Sequence, residues 1–64
     1  MKNFIKATDK DTNEECYLNI QQITAIISKE SYPESYTLIQ FSSTKYSVVK
    51  ESVDEIKKLI EEAQ

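Results

Sequence analysis

The chain contains no histidine, no arginine and no glycine, with one cysteine, Cys16, and one proline, Pro33, among its 64 residues. Each absence removes a class of chemistry. Without His, neither a Ser nor a Cys has the imidazole partner that commonly activates it as a nucleophile. One Cys and no His fall short of the usual zinc sets, which need four N/S ligands or three plus an open position. Without Gly there is no glycine-rich loop to cradle a phosphate. The paired carboxylates, Glu14-Glu15 and Glu61-Glu62, read as parts of a loop and a helix surface, whereas glycosidase carboxylates must flank a cleft. The residues therefore point away from an enzyme, and no catalytic, cofactor-binding or metal-binding residue is expected.

A single Cys cannot close an internal disulfide, and the length fits one small domain, 1–64. A core of this size is marginal. Ordering costs about 1.5 kcal/mol per residue, and burial at about 25 cal/mol/Å² barely offsets it. With disulfide and metal unavailable, self-association as a homodimer is the remaining staple. No apolar run approaches the roughly 20 residues of a membrane helix. The start, Met1-Lys2-Asn3-Phe4-Ile5-Lys6, has no hydrophobic stretch of signal-peptide length. Together with the lone Cys, this gives a soluble, cytoplasmic protein as the expectation.

The net charge of −3 is uneven. Residues 1–50 balance six acids against six lysines, whereas residues 51–64 carry Glu51, Asp54, Glu55, Glu61 and Glu62 against Lys57 and Lys58. The excess reads as a solvated helix face, and it disfavours a phosphate-binding surface there.

Alternation dominates the first three quarters of the chain. Strands are expected at about 4–8, 15–20, 25–29, 36–42 and 45–50, from period-2 patterns rich in β-branched and aromatic residues. Asp9–Glu14, Lys29–Ser35 and Ser42-Ser43-Thr44 are polar connections. The pattern turns Cys16, Leu18 and Ile20 inward and Tyr17 outward. Cys16 thus reads as a small core residue with nothing to activate it. Gln21–Thr24 reads as a turn that tucks Ile23 inward. A helix is expected at about 52–63. Ser52-Val53-Asp54-Glu55 matches the capping box, and Asp54 and Glu55 suit the positive end of the helix dipole. Val53, Ile56, Leu59, Ile60 and Ala63 then recur at helical spacing as one apolar stripe, which reads as core. The expected fold is α+β: a curved antiparallel sheet of four to five strands, or a small, partly open barrel, with one C-terminal helix packed on one face.

Tyr17-Leu18-Asn19, Ile23, Ile26, Leu38-Ile39-Gln40-Phe41, Lys45–Ser52 and Val53-Asp54-Glu55-Ile56 follow in an order that resembles the short FlbD-like proteins of bacteria. That family includes swarming-motility proteins linked to flagellar function. The likeness spans nearly the whole chain, and Val48-Val49-Lys50-Glu51-Ser52 is its most specific part. It implies the same strand and helix order and an accessory role in motility. The family favours Asn-Gly at its hairpin turns, where this chain has Asp11-Thr12-Asn13 and Ser43-Thr44, and the Lys29–Ser35 loop is longer here. A weaker similarity links the strand–strand–helix end to LytTR-type domains, which read DNA with basic side chains; this chain has no Arg.

Two sets of residues are candidate partner contacts. Tyr32 and Pro33 lie in a loop where Glu30-Ser31-Tyr32 and Glu34-Ser35-Tyr36 repeat one triplet. They read either as a pre-ordered contact point or as a connection whose tyrosines cover the sheet edge. Tyr17, Tyr36, Leu38 and Tyr46 fall on the strand phase facing away from the core. They form a protein or dimer contact, or a base-stacking surface with charge from Lys6, Lys45 and Lys50. The leading expectation is a non-enzymatic protein-interaction module with an unknown protein partner. The alternatives are a small nucleic-acid-associated regulator and a mobile-element-encoded inhibitor whose acidic helix meets a basic partner.

Overall fold

The computed structural model describes residues 3–30 and 34–63. Its elements are β1 (Phe4–Thr8), β2 (Glu15–Asn19), a 3-10 turn (Ile20–Gln22), β3 (Ala25–Lys29), β4 (Tyr36–Gln40), β5 (Tyr46–Val49) and α1 (Val53–Ala63). All pairings are antiparallel: β1 with β2, and β3 with β4 with β5. The protein is therefore α+β, but the strands do not form one sheet of four to five strands, and they do not close a barrel. They divide into a two-stranded and a three-stranded sheet.

The division has a local cause. Beyond Thr8 the chain meets β5 only briefly: Asp9 bridges to Val49, Lys10 N–H donates to the Val48 carbonyl, and Lys50 N–H to the Thr8 carbonyl. The Asp9 carboxylate then takes over. Its Oδ1 accepts from the amides of Asp11 at 2.9 Å and Thr12 at 3.1 Å, an Asx-type turn that carries the chain away from β5 after Lys10. Asn13 completes the loop at φ 61°, in the left-handed region that Asn tolerates better than most residues. Its side chain also accepts from Lys50 Nζ at 2.6 Å. No glycine is needed. The strand expected to run through Ile20 stops at Asn19, because the Asn19 side chain caps the 3-10 turn by accepting the Gln21 amide.

Alternation sorts β2, β4 and β5 as expected, whereas β3 shows no alternation and ends in three exposed residues. Ile5, Ala7 and Leu18 from the first sheet meet Ile39 and Val49 from the second, and Ile56 of α1 completes the buried cluster. The helix thus packs on both sheets, nearest β1 and β3, rather than on one face of a single sheet. The capping box forms in both directions: Glu55 N–H donates to Ser52 Oγ at 3.1 Å, and Ser52 N–H to Glu55 Oε1 at 3.2 Å.

Glu51, which counts in sequence with the acids of the helix segment, belongs to a different structure. Its carboxylate accepts from Thr8 N–H and Thr8 Oγ1, each at 2.9 Å. Its main-chain carbonyl accepts from Oγ1 of Thr37, the buried polar residue of β4, at 2.6 Å. One residue therefore ties the end of β1 to the inner face of β4.

Glu51→Ala removes two charge-assisted bonds and strands the Thr8 amide. The expected cost is about 1–3 kcal/mol, or a melting temperature lower by roughly 4–8 °C per kcal/mol in a domain of this size, read by circular dichroism. A change of under a degree would show that the tie is dispensable. The backbone amides of Thr12 and Asp11 hold the Asp9 carboxyl below its ordinary 3.8. A depressed carboxyl contributes stability above its unfolded value and loses it as pH falls through its folded value. Asp9→Asn is therefore expected to flatten the acid end of the stability–pH curve, below about pH 4, and to leave its alkaline side unchanged.

Candidate functional site

The register of the three-stranded sheet defines its outer face. Ile27, Leu38 and Val48 lie side by side across β3, β4 and β5, with Ala25, Gln40 and Tyr46 in the next row and Lys29 opposite Tyr36 in the third. The residues of opposite phase, Thr37, Ile39 and Val49, are the buried ones, so the helix and the first sheet take the inner side. Among the described residues no element covers the outer side. Ile27 is 37% exposed and Tyr46 63%, while Leu38, Val48 and Tyr36 are half-buried by their neighbours. The Tyr36 ring carries a cation: Lys10 Nζ lies 5.1 Å from its centroid, within cation–π range. This end of the face therefore combines aromatic surface with Lys10 and Lys29.

Three of the four sheet candidates, Tyr36, Leu38 and Tyr46, share this face. Tyr17 does not. It lies on β2 opposite Lys6, 58% exposed, and lines an open groove of about 490 Å³ between the sheets with Phe4, Cys16, Phe41 and Lys45. The split into two sheets separates it from the others. Tyr32 and Pro33 lie outside the described residues. The lysines also part ways: Lys6 is held by Glu15 at 2.8 Å, which raises its pKa, and Lys50 is bonded to Asn13.

No family model matches the chain, and no curated protein and no solved structure is significantly similar to it.

Cys16 lines the groove and is half-buried. Burial pushes its thiol up, and the carboxylates of Asp9 and Glu51 push the same way. Both disfavour the thiolate, the form that reacts. Among the described residues no three Cys, His, Asp or Glu side chains gather as a metal site, and no helix is long and apolar enough to cross a membrane.

Ile27, Val48 and Lys10 belong to the outer face but were not singled out by sequence. Ile27 was legible only as half of an apolar pair, Ile26-Ile27, since nothing in one strand says which member will be covered. Lys10 lies in a loop, and no strand pattern reaches it. Phe4 joins Tyr17 through the β1–β2 register, and Phe41 joins them only through the packing of the two sheets.

Alkylation of Cys16 by iodoacetamide in mildly alkaline buffer is expected to run slower in the folded protein than in the urea-unfolded chain, followed by mass spectrometry. A faster folded-state reaction would mean an activated thiolate and would return Cys16 to the list of nucleophiles.

Proposed function

We propose that the chain is a non-enzymatic protein-interaction module that docks a partner on the outer face of β3–β4–β5. The supporting observation is that face itself: a row of Ile27, Leu38 and Val48 between Tyr36 and Tyr46, with no layer over it among the described residues. Side chains packed this way present apolar area at little cost in ordering, and aromatic residues of this kind anchor interfaces. Lys10 and Lys29 at one end fit a partner whose apolar patch is bordered by carboxylates. The FlbD-like pattern from Tyr17 to Ile56 supports an accessory role in a bacterial cell, motility-related by that resemblance, and the lone Cys16 is in keeping with the cytoplasm.

The second reading, a nucleic-acid-associated regulator, draws on the pairing of Tyr36 with Lys10, since cations beside exposed rings also suit stacked bases and phosphates. The acidic balance of residues 51–64 weighs against it.

One variant separates the readings. Tyr46→Glu replaces an exposed ring, so its stability is expected to change by no more than about 0.5 kcal/mol. In nuclease-treated native lysate the tagged wild type is expected to retain a stoichiometric protein that the folded Tyr46→Glu chain releases. Equal retention by both chains would remove the outer face from the interaction. Binding to a single-stranded oligonucleotide that weakens steeply with salt and is lost in the variant would replace the protein reading with the nucleic-acid one.

A further inference from the structure

The pairing pattern of β4 shows which way the edge of the three-stranded sheet points its backbone. Phe41 N–H donates to the carbonyl of Lys45 across the β4–β5 hairpin. Bonded pairs alternate along an antiparallel ladder, so Ile39 and Thr37 also turn their backbone groups toward β5. Tyr36, Leu38 and Gln40 then turn theirs toward β3. The Gln40 carbonyl does so visibly, accepting from Thr24 N–H at 2.8 Å. The β3 residues opposite them, Ala25, Ile27 and Lys29, are consequently bonded to β4. Ile26 and Ser28 point their N–H and C=O groups away from the sheet.

Nothing among the described residues takes up those outward groups. β3 is the last strand of its sheet, and no further backbone bond involves Ile26 or Ser28. Ile27, Ser28 and Lys29 are exposed in succession, so neither strand phase is covered there. An edge of this kind is a template for another strand, and proteins that avoid pairing blunt it with proline, a bulge or inward charge. The residues of β3 offer one lysine at its end and no proline.

We propose that two copies of this chain pair antiparallel through their β3 edges, with the two-fold axis at Ile27. The strand fits itself in that register. Ile26 and Ser28 of one copy meet Ser28 and Ile26 of the other, so all four outward donors and acceptors on each side find partners. Ile27 meets its own copy, and the rows Val48–Leu38–Ile27 of the two copies join into one apolar row across a six-stranded sheet. Lys29 lies over the small Ala25 of its partner, where its stem has room. The two Lys29 residues sit about 14 Å apart along the strand at about 3.4 Å per residue, beyond the roughly 8–10 Å over which salt leaves exposed charges in contact. A peptide from another protein could use the same hydrogen bonds. The self-matching register around Ile27 and the joined apolar row favour a second copy. Five residues per side make a small interface against the roughly 1,200–2,000 Å² of standard stable complexes, so the dimer is reversible and concentration-dependent.

The inference shares Ile27, Leu38 and Val48 with the proposed partner face, but its bonds come from the outward backbone groups of Ile26 and Ser28, which docking on that face does not use. The test is sedimentation equilibrium of the full chain over a wide concentration range, for wild type, Ser28→Pro, Ile27→Lys and Tyr46→Glu, each checked for folding by circular dichroism. Proline at position 28 deletes an outward N–H that the β4 ladder does not use. Lysine at position 27 sets like charges opposite each other at the axis. The expected result is a monomer–dimer equilibrium in wild type and Tyr46→Glu, weakened by about tenfold or more in both edge variants. If Ser28→Pro fails to fold, Ile27→Lys and Tyr46→Glu decide together: dimerisation weakened in the first alone supports the edge, and dimerisation weakened in both overturns it. A wild type that stays monomeric throughout overturns the proposal. So does a folded edge variant that dimerises like wild type, or a dimer lost in Tyr46→Glu and Ile27→Lys and kept in a folded Ser28→Pro. That last pattern means that copies meet face to face, since Ile27 and Tyr46 share the outer face.

Discussion

Glu51 sits beside the backbone bonds that link Thr8 and Lys10 to Val48 and Lys50, and its side chain and main chain bond to different sheets. The carboxylate holds Thr8 at the end of β1, and the carbonyl holds the buried hydroxyl of Thr37 in β4. Ser52 follows directly as the cap of α1. The position that joins the sheets therefore also sets where the helix begins and how Ile56 enters the core. A β1–β5 contact limited to Asp9, Lys10 and Lys50 would hold the sheets weakly by itself. With a single Cys, which cannot close an internal disulfide, in a chain this short, polar ties of this kind carry weight that a larger core would carry through area.

Turn chemistry follows the same economy. A chain with no glycine must make its reversals from side chains. Asp9 and Asn13 build the first hairpin, the second by taking the left-handed conformation itself. Ser42 does so at the last, accepting the amides of Thr44 and Lys45. The first of these turns ends the short pairing of Asp9 and Lys10 with β5, and so it also divides the sheet. That division opens the groove where Tyr17 and Cys16 lie, and it leaves the outer face of β3–β4–β5 as a separate surface. One Asx turn thereby decides which exposed aromatics can act together.

Local patterns were legible because they depend on neighbours in sequence. The capping box at Ser52 and Glu55, the stripe through Ile56 and the alternation of Thr37, Ile39 and Val49 against Tyr36, Leu38 and Val48 all follow from fixed spacings and fixed periods. Tyr36, Leu38 and Tyr46 could be placed together on that basis, since register within consecutive hairpins is constrained by short turns. Tyr17 could not, because its relation to β4 and β5 depends on whether β1 continues alongside β5. Glu51 was misleading for a similar reason. In sequence it is one more acid before a helix; in space it faces Thr8, 43 residues away.

The sequence by itself determined the identity of the elements, the inward and outward phase of β2, β4 and β5, the start of the helix and the residue types from which any function must be built. Tertiary structure alone decided that five strands become two sheets, that Glu51 joins them, that Lys10 reaches Tyr36, and that β3 becomes an edge with Ile26 and Ser28 pointing outward. The physical reason is range. Hydrophobic period, capping and turn preference act over a few residues, whereas sheet order and edge exposure depend on which distant backbone groups satisfy one another, and no local spacing encodes that choice.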